Sequence, residues 1–497
     1  MSGRWSAEAL LAPWLVDAGL IGRPVQGVCL DSREARPDGL FLAIAGDRSH
    51  GLDYVDEALA RGVRTVLYEP AQGRDEGAIR RRCQQAGAVA IPCAGLSGRA
   101  SAIAGRFHGE PSQSMRVIGV TGTDGKTSVA HYIAQLMGTL GQRAAMMGTI
   151  GWGPPDQLMP SSRTTADAVS VQARLAELRD SGVQCVAMEV SSHALSQHRV
   201  DAVAFDRAVL TQVGRDHLDY HGSAEAYRAA KRRLFAWPTL TRQVLNRDDA
   251  VGADLADRPL SDARRLTYSR HDPADLRLRD AERGPAGLRL TLEYRGRRET
   301  AVLPLIGRFN ALNALAALGA VIEPDQADAL LTALTELRPV PGRMERFAAA
   351  GEPLIVVDYA HTPGALTAAL EALRPHVTGR LWLVFGCGGD RDPGKRPLMG
   401  AAAAGQADVL ILTNDNPRSE APRAIIDAVR TGCRGHGDCR VIEDRAAAIL
   451  AAIDQAAPED GVLIAGQGHE TEQVIGDRVQ AFSDRETVAE RLSRRAG

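Results

Sequence analysis

The chain has 497 residues, and at roughly 100–200 residues per domain this length predicts about three domains rather than one. Hydrophobic residues make up 44% and charged residues 24%, which is typical of a globular protein, and no stretch approaches the roughly 18 consecutive apolar residues of a membrane span. The net charge of −2 excludes a general attraction to nucleic acid or to anionic lipid. Any anionic ligand must therefore be bound by a local site.

The seven cysteines are odd in number and scattered, which favours a reducing cytoplasm over a secreted disulfide framework. The N-terminus lacks the layout of a signal peptide, so we expect a cytoplasmic protein, and we take it as a monomer. Cys433, His436 and Cys439 are spaced like zinc ligands, but no second ligand pair lies nearby and the segment is polar and glycine-rich. We therefore interpret it as an exposed loop.

Taken in chain order, the first predicted domain covers residues 1–110 and is a small α/β unit. Its elements are strands at 28–30 and 40–44 around a turn at 36–39, a helix at 54–61, a strand at 65–68 and a polar linker at 107–112.

The second predicted domain, residues 111–338, alternates strands and helices, which indicates a parallel sheet with helices on both faces. The strands are predicted at 117–120, 183–190 and 208–210, and the helices up to 140 and at 169–179 and 224–235. Between residues 288 and 294, Leu and Tyr alternate with polar residues, so we expect a small antiparallel β insertion with one solvent-facing side.

Two prolines, Pro339 and Pro341, close the preceding helix and open the third predicted domain, residues 339–497. Strands at 354–357, 381–385, 409–413 and 462–465 alternate with Ala-rich helices there. This pattern predicts a second doubly wound, Rossmann-like domain.

Only three of the 59 basic residues are lysines, namely Lys126, Lys231 and Lys395, and the other 56 are arginines. Arg can replace Lys wherever a solvated cation suffices, but not where a compact charge or a deprotonatable amine is needed. The alternative explanation is that codon bias removed most lysines and left these three by chance. In that case we would expect them on polar helix faces, without other motif residues nearby.

A glycine-rich loop, Thr121-Gly122-Thr123-Asp124-Gly125-Lys126-Thr127, follows a strand and opens a helix. Its backbone N–H groups and the helix N-terminus favour phosphate, Lys126 can reach the terminal phosphates, and the Thr127 hydroxyl can bind Mg²⁺. The general template has a glycine where this chain has Val120, yet the pattern still favours phosphate binding over a simple turn.

Glu189 ends a buried strand, where it is either a metal ligand or a capping or salt-bridged carboxylate. Four of the twelve histidines, His193, His198, His217 and His221, lie within a short region downstream, which favours metal or phosphate chemistry.

Lys231 lies in a predicted helix beside Arg228, Arg232 and Arg233, where a further plain cation would not need to be lysine. Unlike arginine, a desolvated lysine crowded by cations can lose its proton, from a reference pKa of roughly 10.4. The neutral amine can then take up CO₂ and become a carbamate able to bind Mg²⁺.

Across nearly the whole chain these motifs resemble the Mur ligase family, ATP-dependent enzymes that form amide bonds in peptidoglycan synthesis. The segments that carry the resemblance are 31–33, 121–127, 189–193, 216–222 with Lys231, 308–313, 342–343, 358–361, 386–396, 415–418 and 466–470. Within the family, the chain resembles members that add meso-2,6-diaminopimelate to UDP-N-acetylmuramoyl-L-alanyl-D-glutamate.

The resemblance implies that ATP and Mg²⁺ bind, that the γ-phosphoryl group passes to the D-Glu γ-carboxylate, and that an amine attacks the acyl phosphate. It places Lys126 and the loop on the phosphates, Thr127 and Glu189 on one Mg²⁺, and His217 with carbamylated Lys231 on a second. Family positions that contact adenine, ribose or phosphate are matched by Asn310, Asn313, Arg343, Asp358 and His361. Arg343 is best suited to the charge on the γ-phosphoryl group.

The resemblance also implies residues for the two other substrates. Positions that hold the UDP-sugar-peptide are matched by Leu30, Ser32, Thr164, Thr165, Ser191, Gln197 and Arg199. The diaminopimelate set is Arg391, Asp415, Asn416, Arg418, Gly466 and Glu470. Arg418 would bind the distal carboxylate that distinguishes diaminopimelate from lysine, although in a chain with 56 arginines it could also be an ordinary surface residue.

The chain departs from the family pattern in three places. Asp124 replaces the usual asparagine, Gln467 stands where lysine is common, and Asp47-Arg48-Ser49 does not match the polar triplet near uridine. Two other functions are considered: a folylpolyglutamate synthase-like ligase, which shares the loop and the carbamate lysine, and a nucleotide-binding regulatory module that has lost catalysis.

Overall fold

The computed structural model of the chain describes residues 5–46, 49–214, 216–271, 273–284, 287–323, 326–349 and 351–496. It divides into two compact units, one of residues 1–274 and 316–323 and the other of residues 275–315 and 324–497. Asp47, Arg48 and Arg215 lie outside the described residues.

The first unit begins with a small α/β sheet of parallel strands in the order β3-β4-β5-β6. All four side chains of β4 are buried, as expected for a strand covered on both faces. The elements are β1 (Trp5–Ser6), α1 (Ala7–Leu11), β2 (Pro24–Val25), β3 (Val28–Cys29), β4 (Leu40–Ala43), α2 (Val55–Ala60), β5 (Thr65–Tyr68), α3 (Glu76–Gln85), β6 (Val89–Pro92) and α4 (Leu96–Phe107).

A second sheet in the same unit has the order β13-β12-β11-β7-β10-β8-β9 and is parallel except for β9. Its elements are β7 (Arg116–Thr121), α5 (Lys126–Thr139), β8 (Ala144–Gly148), β9 (Gly151–Gly153), α6 (Ala168–Asp180), β10 (Cys185–Glu189), α7 (Ser192–Ser196), β11 (Phe205–Leu210), α8 (Leu218–His221), α9 (Ala224–Arg232), β12 (Arg242–Asn246), α10 (Ala250–Asp257) and β13 (Arg264–Ser269). The carboxyl ends of β7, β8, β10 and β11 meet at one edge, where doubly wound sheets bind ligands.

The two sheets of the first unit share a core. Ala168 and Val169 at the start of α6 belong to the same buried cluster as Leu40, Leu42 and Leu67 of the first sheet. The predicted linker at 107–112 is packed rather than exposed, because Pro111 and Ser112 are buried and open a 3₁₀ turn.

In the second unit, β14 (Leu276–Gly284), β15 (Gly287–Tyr294) and β16 (Arg297–Leu303) pair antiparallel, which confirms the predicted β insertion. Leu288, Leu290, Leu292 and Tyr294 all face the core. The chain continues through α11 (Arg308–Val321), whose residues from Ala316 onward belong to the first unit, and α12 (Ala327–Ala333).

The remaining sheet of the second unit has the order β17-β18-β22-β19-β20-β21, with only β17 antiparallel among the described strands of this sheet. Its elements are β17 (Glu345–Phe347), β18 (Leu354–Asp358), α13 (Pro363–Leu373), β19 (Leu381–Phe385), α14 (Lys395–Ala404), β20 (Val409–Leu412), α15 (Pro422–Gly432), β21 (Cys439–Val441), α16 (Arg445–Gln455) and β22 (Gly461–Ala465), followed by β23 (Glu472–Ile475), β24 (Arg478–Ala481) and α17 (Asp484–Ala496). Both doubly wound sheets thus follow the predicted α/β class.

The exposed-loop interpretation of the segment from Cys433 to Cys439 was wrong only at its two ends. Residues 434–438 form a loop in which Arg434, Gly435 and Gly437 are exposed, but Cys433 is buried at the end of α15 and Cys439 begins β21. In the part of the chain that the structure describes, no group of three or more His, Cys, Asp or Glu could hold a metal ion, and no helix is long and apolar enough to cross a membrane.

Candidate active site

The glycine-rich loop curls at the carboxyl end of β7 and leads into α5. Its φ angles are 152° at Gly122 and 84° at Gly125, both in the region that favours glycine. A Cβ on Gly122 would lie 1.8 Å from Thr211 Oγ1, so the loop has no room for a side chain there. Backbone N–H groups at such a turn, next to a helix N-terminus, can bind a phosphate.

Two of the three lysines meet at this loop. Lys126 Nζ donates to the carbonyls of Gly122 at 3.0 Å and Thr123 at 2.7 Å, and Lys231 Nζ donates to the same Gly122 carbonyl at 2.6 Å. Lys231 is only 2% exposed. Its burial, and next the charge of Lys126, hold the pKa of Lys231 well below the ordinary value, because both disfavour the charged form of the amine.

Glu189, at the end of β10, lies beside the loop because it pairs in register with Val120 of β7. Thr127 Oγ1 donates to Glu189 Oε2 at 3.0 Å, which joins the two residues predicted to share a metal. Thr149 donates to the same carboxylate from its backbone N at 2.8 Å and its hydroxyl at 3.1 Å. Glu189 therefore caps the backbone N–H of Thr149 as well as contacting Thr127, and its role as a metal ligand stays a prediction.

The glycine before Thr149 makes room for that carboxylate. A Cβ on Gly148 would lie 2.0 Å from Glu189 Oε1. A hydroxyl and a fully buried carboxylate side by side are the hard oxygen donors that Mg²⁺ prefers, and Mg²⁺ usually completes its shell with water and substrate phosphates.

Tyr227 connects the histidine region with Lys231. Its hydroxyl lies 2.9 Å from Thr123 Oγ1, and its ring centroid is 4.6 Å from Lys231 Nζ and 6.3 Å from the His217 ring. His217 also packs edge-on against His193 at 4.7 Å. His198 has a different partner, because its Nδ1 is 2.6 Å from Asp201 Oδ2.

Of the residues predicted for the UDP-sugar-peptide, Thr164, Thr165 and Ser191 lie beside Glu189 or its Thr149 partner. Thr165 Oγ1 donates to the Glu189 carbonyl at 2.8 Å and accepts from Ser191 N at 3.1 Å, while the Thr164 and Thr149 hydroxyl oxygens lie 3.0 Å apart. Arg199 Nη1 donates to the Thr165 carbonyl at 2.9 Å. Arg199 also donates to the Gln197 side chain, whose Nε2 bonds Tyr220.

Leu30 and Ser32 lie in the first sheet, just after β3. Ser32 is buried and its hydroxyl donates to Glu57 Oε2 at 2.7 Å, and Leu30 packs against the core of that domain. The side-chain hydrogen bond from Arg33 lowers the pKa of the neighbouring Asp31, and the charge of Arg163 adds to this effect.

In the second unit, aromatic rings and an arginine pack against one another just after β18. The Arg343 guanidinium lies 4.3 Å from the centroid of the Tyr359 ring, which is 4.7 Å from the His361 ring and 5.0 Å from the His469 ring. Desolvation raises the pKa of Asp358, and Arg343 acts against that rise. The third lysine contacts the same group of residues, since Lys395 Nζ donates to the His361 carbonyl at 3.1 Å.

Asn310 and Asn313 lie together in the first turns of α11. Asn310 is buried and donates to the Ile306 carbonyl at 2.8 Å, and Asn313 Nδ2 donates to Asn310 Oδ1 at 3.3 Å. Their pairing fixes the orientation of both amides on one helix face.

Most of the predicted diaminopimelate residues cluster at the carboxyl ends of β20 and β22. Asn416 Nδ2 donates to Glu470 Oε2 at 2.7 Å, and a Cβ on Gly466 would lie 2.4 Å from Asp415 Oδ2. Burial, and next the charge of Asp415, raise the pKa of Glu470 to about 7. A carboxylate held in this way is suited to receive an ammonium group.

Arg418 is held in place by the backbone. It has a φ of 52°, which is unusual for a side chain of this size, and its Nη1 donates to the carbonyls of Gly389 at 2.8 Å and Asn416 at 3.3 Å. Its backbone also pairs with the segment around Ile475. Arg391 is exposed on the loop after β19. Arg418 is therefore not an ordinary surface arginine.

Sequence reasoning missed two residues of the site, Thr149 and Tyr227. The sequence indicated Thr149 only weakly, as a polar residue directly after the buried strand β8. Tyr227 could have been found from its spacing, because it lies one helical turn before Lys231 on the same face of α9. The negative charge of Asp124 is engaged by the Gln212 side chain, which donates to its Oδ2 at 2.8 Å.

Comparison with known families gives three matches in chain order. The Mur ligase family catalytic domain matches residues 24–107, the Mur ligase middle domain residues 120–321, and the Mur ligase glutamate ligase domain residues 342–468.

Individual proteins are also similar. The chain is 50% identical over 494 residues to the UDP-N-acetylmuramoyl-L-alanyl-D-glutamate--2,6-diaminopimelate ligase of Alkalilimnicola ehrlichii, covering 99% of each. A solved structure of a ligase with that name matches with a TM-score of 0.68 and 35% identity over the full length of both chains. The Mycobacterium tuberculosis folylpolyglutamate synthase, complexed with ADP and AMPPCP, matches at 20% identity with a TM-score of 0.60, covering 75% of this chain and 93% of that one, and shares the fold.

Proposed function

The chain belongs to the Mur ligase family, and we propose that it joins meso-2,6-diaminopimelate to UDP-N-acetylmuramoyl-L-alanyl-D-glutamate with the hydrolytic energy of ATP, in peptidoglycan synthesis. The observation that carries this proposal is 50% identity, over 99% of both chains, to a relative of that name. It acts as an amide-bond-forming ligase, and we place it in the cytoplasm as a monomer.

The reaction begins at the glycine-rich loop. The loop amides and Lys126 bind the ATP phosphates, and Arg343 stabilises the charge that develops on the γ-phosphoryl group. The D-Glu γ-carboxylate attacks that group, ADP leaves, and an acyl phosphate forms. Asn310, Asn313, Asp358 and His361 contact the nucleotide.

Mg²⁺ fits the donors at Glu189. Thr127 and Glu189 would hold one ion, and His217 with a Lys231 carbamate a second, where the ions neutralise phosphate charge. Gly148 supports this assignment, because its lack of a Cβ leaves space for the Glu189 carboxylate.

The carbamate follows from the environment of Lys231. A buried amine beside Lys126 stays neutral more readily than an exposed one, and it adds CO₂ to give a carbamate anion and one proton. The change converts a cation beside the loop into an anionic oxygen ligand.

The amino acid binds at the carboxyl ends of β20 and β22. Arg418 and Arg391 bind the two carboxylates, while Glu470 and the Gly466 carbonyl accept from the distal ammonium. The free amine attacks the acyl phosphate, the amide forms, and phosphate leaves. Leu30, Ser32, Thr164, Thr165, Ser191, Gln197 and Arg199 hold the UDP-sugar-peptide.

Phosphate release tests the proposal. We expect release that depends on ATP, Mg²⁺ and the UDP-dipeptide, with meso-2,6-diaminopimelate far more effective than L-lysine. Equal rates with both amines would contradict the amine specificity, glutamylation of a folate would favour the alternative ligase, and ATP binding without acyl-phosphate formation would favour a regulatory module.

A further inference from the structure

A fully buried ion pair lies next to the proposed diaminopimelate site in the second unit. Arg445 is the first residue of α16 and Asp484 is the first residue of α17, and neither side chain has any exposed area. Arg445 Nε and Nη2 donate to the two carboxylate oxygens of Asp484, each at 2.7 Å. The sequence gave no reason to assign either residue to a site.

Arg445 also binds the carboxyl ends of two strands. Its Nη1 donates to the Asn414 carbonyl, two residues after β20, at 3.1 Å, and its Nη2 donates to the Ala465 carbonyl, at the end of β22, at 3.0 Å. In this sheet β19 lies between β20 and β22, so the two strands are not hydrogen-bonded neighbours. One planar guanidinium group thus bridges two strand ends that are not adjacent in the sheet.

The next residue along each strand belongs to the predicted diaminopimelate set. Asp415 follows Asn414 directly, and Gly466 follows Ala465 directly. The two residues fit tightly, because a Cβ on Gly466 would lie 2.4 Å from Asp415 Oδ2 and 3.8 Å from Arg445 Nη2. The carbonyls that Arg445 holds therefore set the distance between the two halves of the amino-acid site.

Helix stability alone does not explain an arginine at this position. A cation in the first turn of a helix is disfavoured by the helix dipole, and a buried ion pair loses much of its attraction to desolvation. The same two helices are also joined by a more exposed pair, in which Arg491 Nε of α17 donates to Asp454 Oδ1 of α16 at 2.7 Å. What Arg445 adds is a planar set of donors that reaches two carbonyls and a carboxylate at once.

The charge of Arg445 also acts on the site. Burial acts to lower its pKa, but the charge and hydrogen bonds of Asp484, and then the charges of Asp415 and Glu470, raise it. Burial and Asp415 raise the pKa of Glu470, and the charge of Arg445 is one of the effects that oppose this rise. Arg445 is therefore a permanent cation behind the carboxylates of the site.

We propose that Arg445 is a positioning residue for the amino-acid substrate. By bridging the Asn414 and Ala465 carbonyls, it fixes the separation of the strand ends that carry Asp415 and Gly466, while Asp484 holds the guanidinium group in the required orientation. Arg445 acts through the backbone. The inference rests on the proposed function, because it concerns the amino-acid site of that reaction.

Two variants test the bridge. In Arg445→Lys, an ammonium group keeps the charge but cannot reach both carbonyls and the carboxylate together. In the double variant Arg445→Met/Asp484→Leu, apolar side chains replace the pair, so the fold survives without an unpaired buried charge. In both variants we expect the KM for meso-2,6-diaminopimelate to rise about tenfold to hundredfold, with the KM for ATP unchanged.

A purely structural role gives a different result. Loss of folded protein would lower the rate at saturating substrate but would leave both KM values unchanged. A folded double variant with the wild-type KM for diaminopimelate would therefore overturn the proposal. Arg491→Met, which removes the more exposed pair between α16 and α17, is the matched control and should leave both constants unchanged.

Amide hydrogen exchange tests the bridge without any substrate. Peptides that cover residues 413–418 and 465–470 should exchange about tenfold faster in both bridge variants than in the wild type, but not in Arg491→Met. Unchanged exchange in both bridge variants would contradict the bridge, even in an active enzyme. A wild type that releases no phosphate with diaminopimelate would instead contradict the proposed function, and with it the substrate named for this site.

Discussion

At the scale of single residues, the Gly122 carbonyl accepts from the Nζ atoms of both Lys126 and Lys231, yet the two lysines have different environments. Lys126 stands at the N-terminus of α5, where it can turn to a phosphate, while Lys231 is buried against Tyr227. Of the three lysines, two therefore meet at one loop, and the third, Lys395, donates to the His361 carbonyl in the other unit.

For Lys231, we expect Lys231→Arg and Lys231→Ala to lose nearly all phosphate-release activity, because neither can form a carbamate. Short carboxylic acids should restore part of the Lys231→Ala activity, whereas excess bicarbonate should not. Arg228→Ala, on the exposed side of the same helix, is the control and should stay active. Full activity in Lys231→Arg would rule out the carbamate.

For Arg418, we expect Arg418→Ala to raise the KM for meso-2,6-diaminopimelate about tenfold to hundredfold, because hydrogen bonds to a charged group contribute roughly 1.5–3 kcal/mol. The KM for ATP should change little. Arg423→Ala, which removes an exposed arginine paired with Asp427 on α15, should leave both constants unchanged. An equal rise in both KM values would point to general damage instead.

For Glu470, the raised pKa of about 7 predicts a pH dependence. Below that pH the carboxyl group is neutral and loses the charge that receives the ammonium, so the KM for diaminopimelate should rise as the pH falls through about 7. Glu470→Gln should show a high KM with no such titration between pH 6 and 8, as measured by initial rates. A wild-type KM that does not vary over this range would exclude Glu470 as the ammonium partner.

At the scale of elements, the tight fit at the end of β8 gives a further prediction. Gly148→Ala should weaken Mg²⁺-dependent ATP binding, measured by calorimetry, because its Cβ would displace the Glu189 carboxylate. Gly138→Ala is the matched control, since a Cβ in α5 meets open space and alanine favours helix. Unchanged Mg²⁺-dependent binding in Gly148→Ala would argue against Glu189 as a metal ligand.

The elements that sequence patterns predicted well are the buried parallel strands, such as β5, β19 and β22, because an uninterrupted apolar run suits a strand covered on both faces. The edge strand β21 and the short β9 were not predicted, since three residues are too few for a recognisable pattern, and β9 is only the second arm of a tight hairpin with β8. Thr149 was missed because its partner Glu189 is far away in sequence.

At the scale of the whole molecule, the two boundaries between the three predicted domains stay predictions, but the first of them lies in a packed segment of the first unit. The Arg106 guanidinium lies 5.1 Å from the Trp5 ring centroid and donates to the Ala9 carbonyl, and the Trp5 indole donates to the Phe107 carbonyl. Arg179 of α6 donates to the His108 carbonyl at 2.9 Å. These contacts tie the end of α4 to both sheets of the first unit.

Native trypsin should therefore spare the bond after Arg106, because a protease needs several residues of freely extended chain around its cleavage site. The bond after Arg434 is the internal control and should be cut first, because it lies in the loop between α15 and β21, where Arg434, Gly435 and Gly437 are exposed. The fragments are identified by intact mass over a time course. A fragment beginning at Phe107 that appears before any cut at Arg434 would show that the first boundary is an open linker and that the shared core around Ala168 and Val169 does not hold the two sheets together.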